Sequence, residues 1–152
     1  MLRLILPLAL SILAFPAPAS LAADPVDTID AQFPLCTSSP RVTCVVDGDT
    51  IWLGGTKIRI VDIDTPEVSR PSCPREARLG ALATQPMQAL LNRAPFSLTG
   101  TADGGDEDRF GRKLRVVTRD GESLGAILVR DGLARPWGGK RRGWCDAAGG
   151  AV

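Results

Sequence analysis

Thr43-Cys-Val-Val46, Thr50-Ile-Trp-Leu53 and Lys57-Ile-Arg-Ile-Val61 are three short runs rich in β-branched and aromatic residues, separated by Asp47-Gly48 and Gly54-Gly55. Runs of this length punctuated by Asp-Gly and Gly-Gly predict a meander of three antiparallel strands. In the third run Lys57 and Arg59 alternate with Ile58 and Ile60, so one face of that strand is cationic and the other apolar. Downstream, Phe96 to Leu98 and Lys113 to Thr118 read as two further strands, flanking a polar loop from Gly100 to Gly111. Ala77, Leu79, Leu82, Ala83, Leu90 and Leu91 recur at helical spacing over 75–93, with Pro86 expected to kink or divide the helix. Ser123 can cap a short helix through Val129 that Gly132 would stop. The expectation is a mainly β, α+β domain: a five-stranded OB-fold barrel with two or three short helices, a solution that small nucleic-acid-binding domains use.

Around this domain the chain divides by composition. Arg3 followed by an apolar run from Leu4 to Phe15 and a small-residue stretch, Ala17 to Ala22, reads as a signal peptide over 1–22, cut after Ala22. A run of twelve residues, interrupted by Pro7 and Ser11, falls short of the ~30 Å hydrocarbon layer at ~1.5 Å per residue, so no membrane association is expected after cleavage; an uncleaved anchor is the alternative. Residues 23–40 read as an extended arm, 41–137 as the domain, and 138–152 as a Gly-rich basic tail. The protein is then exported, periplasmic or secreted, and expected to be a monomer.

Export changes the reading of the cysteines. Cys36, Cys44, Cys73 and Cys145 are even in number and lie beyond the cleavage site, which suggests two disulfides. Three pairings are possible; Cys36–Cys44, closing a short loop, with Cys73–Cys145 fastening the chain end is the one expected. Free or buried thiols remain the alternative, and no CxxC spacing points to a metal.

The 152 residues contain no histidine and no tyrosine. Catalysis by a Ser-His-Asp or Cys-His pair, and zinc held by histidine, are therefore excluded. Charge is split unevenly: residues 24–108 carry 13 acids and 7 bases, and residues 109–142 carry 10 bases and 3 acids. An acidic first part facing a basic second part suits a polyanion site that also holds a cation.

Three motifs carry chemistry: Asp47-Gly48-Asp49-Thr50, then Arg59-Ile-Val-Asp-Ile-Asp64-Thr65-Pro66-Glu67, then Asp108-Arg-Phe-Gly-Arg112. Together, in this order and spacing, and continuing through Gly125 to Ala134, they resemble the staphylococcal-nuclease-like (thermonuclease) family over about residues 44–135. The resemblance implies that Asp49, Asp64 and the main-chain carbonyl of Thr65 hold Ca²⁺, with Asp47 contributing through water; hard oxygen donors suit that ion. It implies that Arg59 and Arg112 bind the phosphate, whose transition state gains charge on its equatorial oxygens. Glu67 matches the carboxylate that activates or orients the attacking water, and Asp108 matches a position that holds the arginine loop.

The substrate would be DNA and RNA, single-stranded or locally melted, cut with little sequence preference at the 5′ side of the phosphodiester. Arg109 and Phe110 stand where the family often has Lys and Tyr, so Phe110 can stack but not donate. Tyrosines that the family uses to clasp a nucleotide are missing; Arg135, Trp137 and Lys140-Arg-Arg142 are the available substitutes, although Trp137 and Trp144 could equally pack against the barrel. The family's final helix has no counterpart here. The rival function is a catalytically silent nuclease-like module that only binds nucleic acid. A plain OB-fold single-strand binder is disfavoured by the small aromatic count, seven residues in the whole chain.

Overall fold

A computed structural model describes residues 26–37 and 39–145. The signal-peptide reading of 1–22 and the end of the tail, 146–152, lie outside the described residues. Strands β1 (Cys44–Asp47), β2 (Thr50–Leu53) and β3 (Thr56–Ile60) form the expected antiparallel meander, with Thr50 opposite Arg59 and Ile51 opposite Ile58. A register shift between Val45 and Asp47 turns the end of β1 toward the Asp47-Gly48-Asp49 corner. On β3 the alternation holds: Ile58 and Ile60 are buried, whereas Lys57 and Arg59 are partly exposed.

The meander is extended by β6 (Lys113–Arg119), which runs parallel to β3, and β5 (Ser97–Thr99), antiparallel to β6. The path β1-β2-β3-β6-β5, with one further short strand added on β6, makes a six-stranded sheet, and the α+β fold is OB-like. Three short strands were not foreseen. β7 (Glu122–Ser123) closes a hairpin on β6 through Asp120 and Gly121, both at positive φ, the turn whose twist matches paired strands. β4 (Ile63–Asp64) pairs with β8 (Arg135–Pro136), a two-residue ladder too short to leave a periodic pattern in sequence.

No ladder joins β1 to β5 among the described residues; the arm spans the opening instead. Ile29 exchanges main-chain hydrogen bonds with Phe96 at 2.9 and 3.1 Å, and Val45 donates to Pro34 at 2.9 Å. Between these points Phe33 is fully buried, its ring centroid 5.7 Å from that of Phe96. The Phe33 carbonyl accepts from Gln88 and Asn92, so its polar groups are satisfied in the core. The Cys36–Cys44 disulfide fixes the arm's far end beside β1, and the second disulfide is Cys73–Cys145, the expected pairing.

Among the described residues there are two helices, α1 (Pro74–Arg93) and α2 (Leu124–Arg130). Ser123 caps α2 as read from the sequence, accepting from the Ala126 amide. Two expectations for α1 are corrected. Pro86 does not divide it: the helix is continuous over 20 residues. The carbonyl that Pro86 leaves without a donor belongs to Leu82, whose residue is exposed to water, while Ala83, Met87 and Leu91 hold both halves on the core. The buried face is also rotated from the expected leucine stripe, since it carries Gly80, Ala83, Thr84, Met87 and Leu91 and leaves Leu82 outside. Small residues win that face because of what lies beneath. A Cβ on Gly80 would stand 2.8 Å from the carbonyl oxygen of Glu67 and 2.9 Å from that of Pro66. The helix thus presses directly on the segment that carries Glu67. No described helix is long and apolar enough to cross a membrane.

Candidate active site

The corner between β1 and β2 places Asp49 almost out of contact with solvent, at 3% exposure. Its Oδ2 accepts the Thr65 amide at 2.8 Å, its Oδ1 accepts the Thr50 hydroxyl at 3.0 Å, and the same Oδ1 pairs with the Arg59 guanidinium. Asp47, also buried, accepts the Asp49 amide at 3.2 Å and so shapes the corner. The register that sets Thr50 opposite Arg59 is what brings this guanidinium to Asp49. Arg59 Nη2 also donates to the Ile63 carbonyl at 3.2 Å and lies 3.8 Å from Asp64 Oδ1.

Asp64, on β4, is buried and accepts the Trp144 indole N–H at 3.1 Å through Oδ2. Its Oδ1 is buried and accepts no hydrogen bond. Burial, the strongest influence, raises the Asp64 carboxyl above its ordinary value, with the Asp49 charge adding and Arg141 opposing. Asp47 is pushed well above its ordinary value by burial first and then by the charges of Asp49 and Glu67.

These observations bear on Ca²⁺. Among the described residues no group of three acidic side chains converges tightly enough to cage an ion alone. The donors are nevertheless all oxygen, the buried Asp64 Oδ1 accepts no hydrogen bond, and the Asp47 and Asp64 carboxyls are raised chiefly by burial. Such a set fits a hard cation that completes its shell with main-chain and water oxygens. Asp49, Asp64 and the Thr65 carbonyl could hold it, with Asp47 behind.

Glu67 is half-buried at the mouth of the site. Its amide donates to Glu76 at 3.4 Å, and Glu76 also accepts the Ser72 amide at 2.6 Å, so a buried carboxylate in the first turn of α1 organises the Glu67 segment. Arg112 is held by Asp108, which accepts its Nε at 2.7 Å and also its amide and that of Phe110. Asp108 thereby has the loop-holding place expected of it. Phe110 projects outward, 66% exposed, with the guanidiniums of Arg109 and Arg112 at 4.8 and 5.4 Å from its ring centroid.

One open cleft of about 420 Å³ gathers Arg59, Asp64, Glu67, Arg112, Trp137 and Arg141. A second, of about 700 Å³, continues it past Glu67, Arg112 and Arg141 and is lined further along by Lys57, Arg70 and Phe110. Trp137 faces the first cleft with its ring 5.9 Å from Arg59. Arg135 is not brought to either cleft: it stacks on Trp144 at 3.6 Å and donates to the Gly143 carbonyl. Four residues around the site escaped the sequence reading in these roles: Glu76, Gly80, Arg141 and Trp144. The basic run containing Arg141, and Trp144 as a residue that could pack on the domain, gave the only signals.

Comparisons with known proteins identify the family of the chain. The family model described as "Staphylococcal nuclease homologue" matches residues 57–142, more than half of the chain. Endonuclease YncB of Bacillus subtilis (strain 168) is 38% identical over 96 residues, covering 59% of this chain and 44% of that protein. The thermonucleases of Staphylococcus intermedius and Staphylococcus hyicus are 30% and 31% identical, covering 60% and 62% of this chain and 55% and 57% of their own lengths. The chain thus spans about half the length of these relatives. The matched region contains Arg59, Asp64, Glu67 and Arg112 on the cleft just described, and the chain belongs to the staphylococcal nuclease homologue family.

Proposed function

We propose that this protein is an exported, Ca²⁺-dependent nuclease that hydrolyses phosphodiester bonds of DNA and RNA with little sequence preference. The observation that carries this reading is the convergence of Glu67, Arg59 and Arg112 on one open cleft, beside the buried Asp49–Asp64 pair. Glu67 accepts a hydrogen bond from water and draws off its proton as oxygen approaches phosphorus. Arg59 and Arg112 offer planar, permanently charged forks to the equatorial oxygens that gain charge in the transition state. Asp49 and Asp108 hold those two guanidiniums in place through Oδ1 and Oδ2 respectively, so little reorganisation is needed on binding. Asp49, Asp64 and the Thr65 carbonyl would hold Ca²⁺, which would supply positive charge beside the phosphate and offset its repulsion from the carboxylates.

The relatives' names support the nuclease chemistry, and the open ends of the two clefts suit a polymer passing through. Cleavage at the 5′ side of the phosphodiester follows from the family. Phosphate contacts dominate and no base-reading element is present among the described residues, so binding weakens with salt. The test is hydrolysis of a single-stranded oligonucleotide by the mature protein in Ca²⁺ and in EDTA, with Glu67→Gln alongside. Hydrolysis insensitive to both treatments would overturn the mechanism; binding without hydrolysis in Ca²⁺ would favour a silent nucleic-acid-binding module.

A further inference from the structure

Residues 137–145 have no helix or ladder of their own and include Gly138, Gly139 and Gly143. Backbone propensity therefore does not determine where this segment lies. Its position is set from outside. At one end the Trp137 amide donates to the Asp62 carbonyl at 2.9 Å. At the other, Trp144 is buried and donates to Asp64, and Cys145 is joined to Cys73. Cys73 is the N-cap of α1, accepting the Glu76 amide through Sγ. The same helix end, through Glu76, binds the amides of Glu67 and Ser72. One point of the fold therefore fixes both the Glu67 segment and the tail.

What the tail delivers from between those fixings is Arg141. Its Nη1 donates to Glu67 Oε1 at 2.9 Å, and its Nε lies 3.9 Å from Asp64 Oδ1. It is about half exposed and lines both clefts at the place where they meet. A guanidinium has five N–H donors in a fixed fork, and the Glu67 contact uses one of them. Its position also differs from that of Arg59, which is bound into the acidic pair, and of Arg112, which is bound into its loop by Asp108.

We propose that Arg141 is a third phosphate-binding residue of this cleft, brought to Glu67 by a tail segment whose position depends on the Cys73–Cys145 cross-link. The proposal rests on the nuclease reading only for its consequence in catalysis, because the phosphate contact itself is read by binding. With a phosphodiester in the cleft, Arg141 holds a phosphate oxygen and Glu67 Oε1 together. It thereby sets the carboxylate beside the phosphorus and leaves Oε2 to accept from water.

The experiment measures binding of a fluorescent single-stranded oligodeoxynucleotide in EDTA as a function of salt, and its hydrolysis in Ca²⁺. Four proteins are compared with wild type: Arg141→Gln, Cys73→Ser/Cys145→Ser, their combination, and Arg130→Gln on the exposed end of α2. Loss of a charged hydrogen bond to phosphate predicts about tenfold weaker binding for Arg141→Gln. Loss of one contact makes the slope of log affinity against log salt shallower by about 0.7. The double serine variant shows the same shallower slope, the combination adds nothing further, and Arg130→Gln keeps the wild-type slope.

An unchanged slope for Arg141→Gln overturns the assignment, as does faster hydrolysis, which would make Arg141 a lock on Glu67. Additive losses in the combined variant overturn the role of the cross-link. If the double serine variant fails to fold, shown by its circular dichroism, Arg141→Gln decides the phosphate contact with both disulfides intact. For the cross-link, Trp144→Phe, which removes the tail's donor to Asp64, is then combined with Arg141→Gln, and additive losses count against it. A shallower slope in a wild-type background that never hydrolyses sinks the nuclease reading and keeps the contact; hydrolysis with an unchanged slope does the reverse.

Discussion

Two regions supply the cleft, and they are built in opposite ways. The meander side, β1 to β3 and the segment that follows to Glu67, sets Asp49 and Arg59 by ladder register and turn hydrogen bonds: Thr50 faces Arg59, and Asp49 accepts the Thr65 amide. The tail side, residues 135–145, sets Trp137, Arg141 and Trp144 with a two-residue ladder, a few side-chain hydrogen bonds and one disulfide. In the first region local sequence encodes position, because pleat and turn chemistry fix which face each side chain takes. In the second, position is inherited from α1 and from Asp64, both distant in sequence. A side chain from each region meets at the Glu67–Arg141 ion pair.

The largest effect is expected at that meeting point. Glu67→Gln keeps the shape and removes the base, so hydrolysis should fall by about 10²- to 10⁴-fold. Binding to the same oligonucleotide should hold or tighten slightly, since a negative charge beside the phosphate is lost. Single-turnover rates and a binding isotherm measured on one preparation separate the two. A fall in rate matched by an equal loss of binding would mean that Glu67 supports the cleft and does not act on water.

Next comes a contrast of stability between the regions. Ile60 on β3 is fully buried in the main core, and Ile60→Ala should cost about 2–5 kcal/mol and lower the melting temperature of the whole domain. Trp144 is buried as well, but outside that core cluster. Trp144→Phe should leave the main thermal transition within a few degrees of wild type while loosening the tail, read as faster amide exchange at 138–145. Equal loss of melting temperature in both variants would erase the distinction and make the tail part of one cooperative unit.

The difference between the regions is also the difference between what sequence made legible and what it did not. Strands β1, β2, β3, β5 and β6 and the Ser123 cap were readable, because alternation and turn residues are local signals; the cysteine count pointed to two disulfides but left three pairings open. The face of α1 was not. Leucine spacing suggested one side, but the close approach of Gly80 to the Pro66 and Glu67 carbonyls selects another, and only the packed structure contains that distance. Likewise Arg135 and the Lys140-Arg-Arg142 run looked equivalent as substitutes for the missing tyrosines. The structure stacks Arg135 on Trp144 and sends Arg141 to Glu67.

Gly80→Ala sharpens the comparison from α1, the helix that presses on the Glu67 segment. The added Cβ meets main-chain oxygens, which cannot rotate aside, so α1 or the Glu67 segment must shift. Overpacking of this kind costs about 1–3 kcal/mol. The same variant should lower hydrolysis more than its stability loss explains, because Glu67 is displaced while Asp49 and Arg59 are not. Gly138→Ala in the tail, where a Cβ meets nothing within 4 Å, should change stability little.

The smallest effect tests a third means of fixing a segment, the arm's clasp on the barrel. Asp27 Oδ2 accepts the Asp120 amide at 2.8 Å, and Oδ1 accepts the Ser97 hydroxyl at 2.7 Å. The Asp120 main-chain hydrogen bond and then that of Ser97 hold the Asp27 carboxyl below its ordinary value of 3.8. The folded-state value is depressed, so the clasp contributes in full above the unfolded value and is lost as pH falls through the folded one. The arm should therefore resist proteolysis near Asp27 at about pH 5 and lose that protection in the acid range below 3.8. Asp27→Asn should remove the pH dependence at this end while leaving cleavage near Cys36 unchanged, since the disulfide to Cys44 does not titrate. A clasp equally firm at both pH values would place the arm's hold on Ile29 and Phe33 alone, where the contacts are main-chain and apolar.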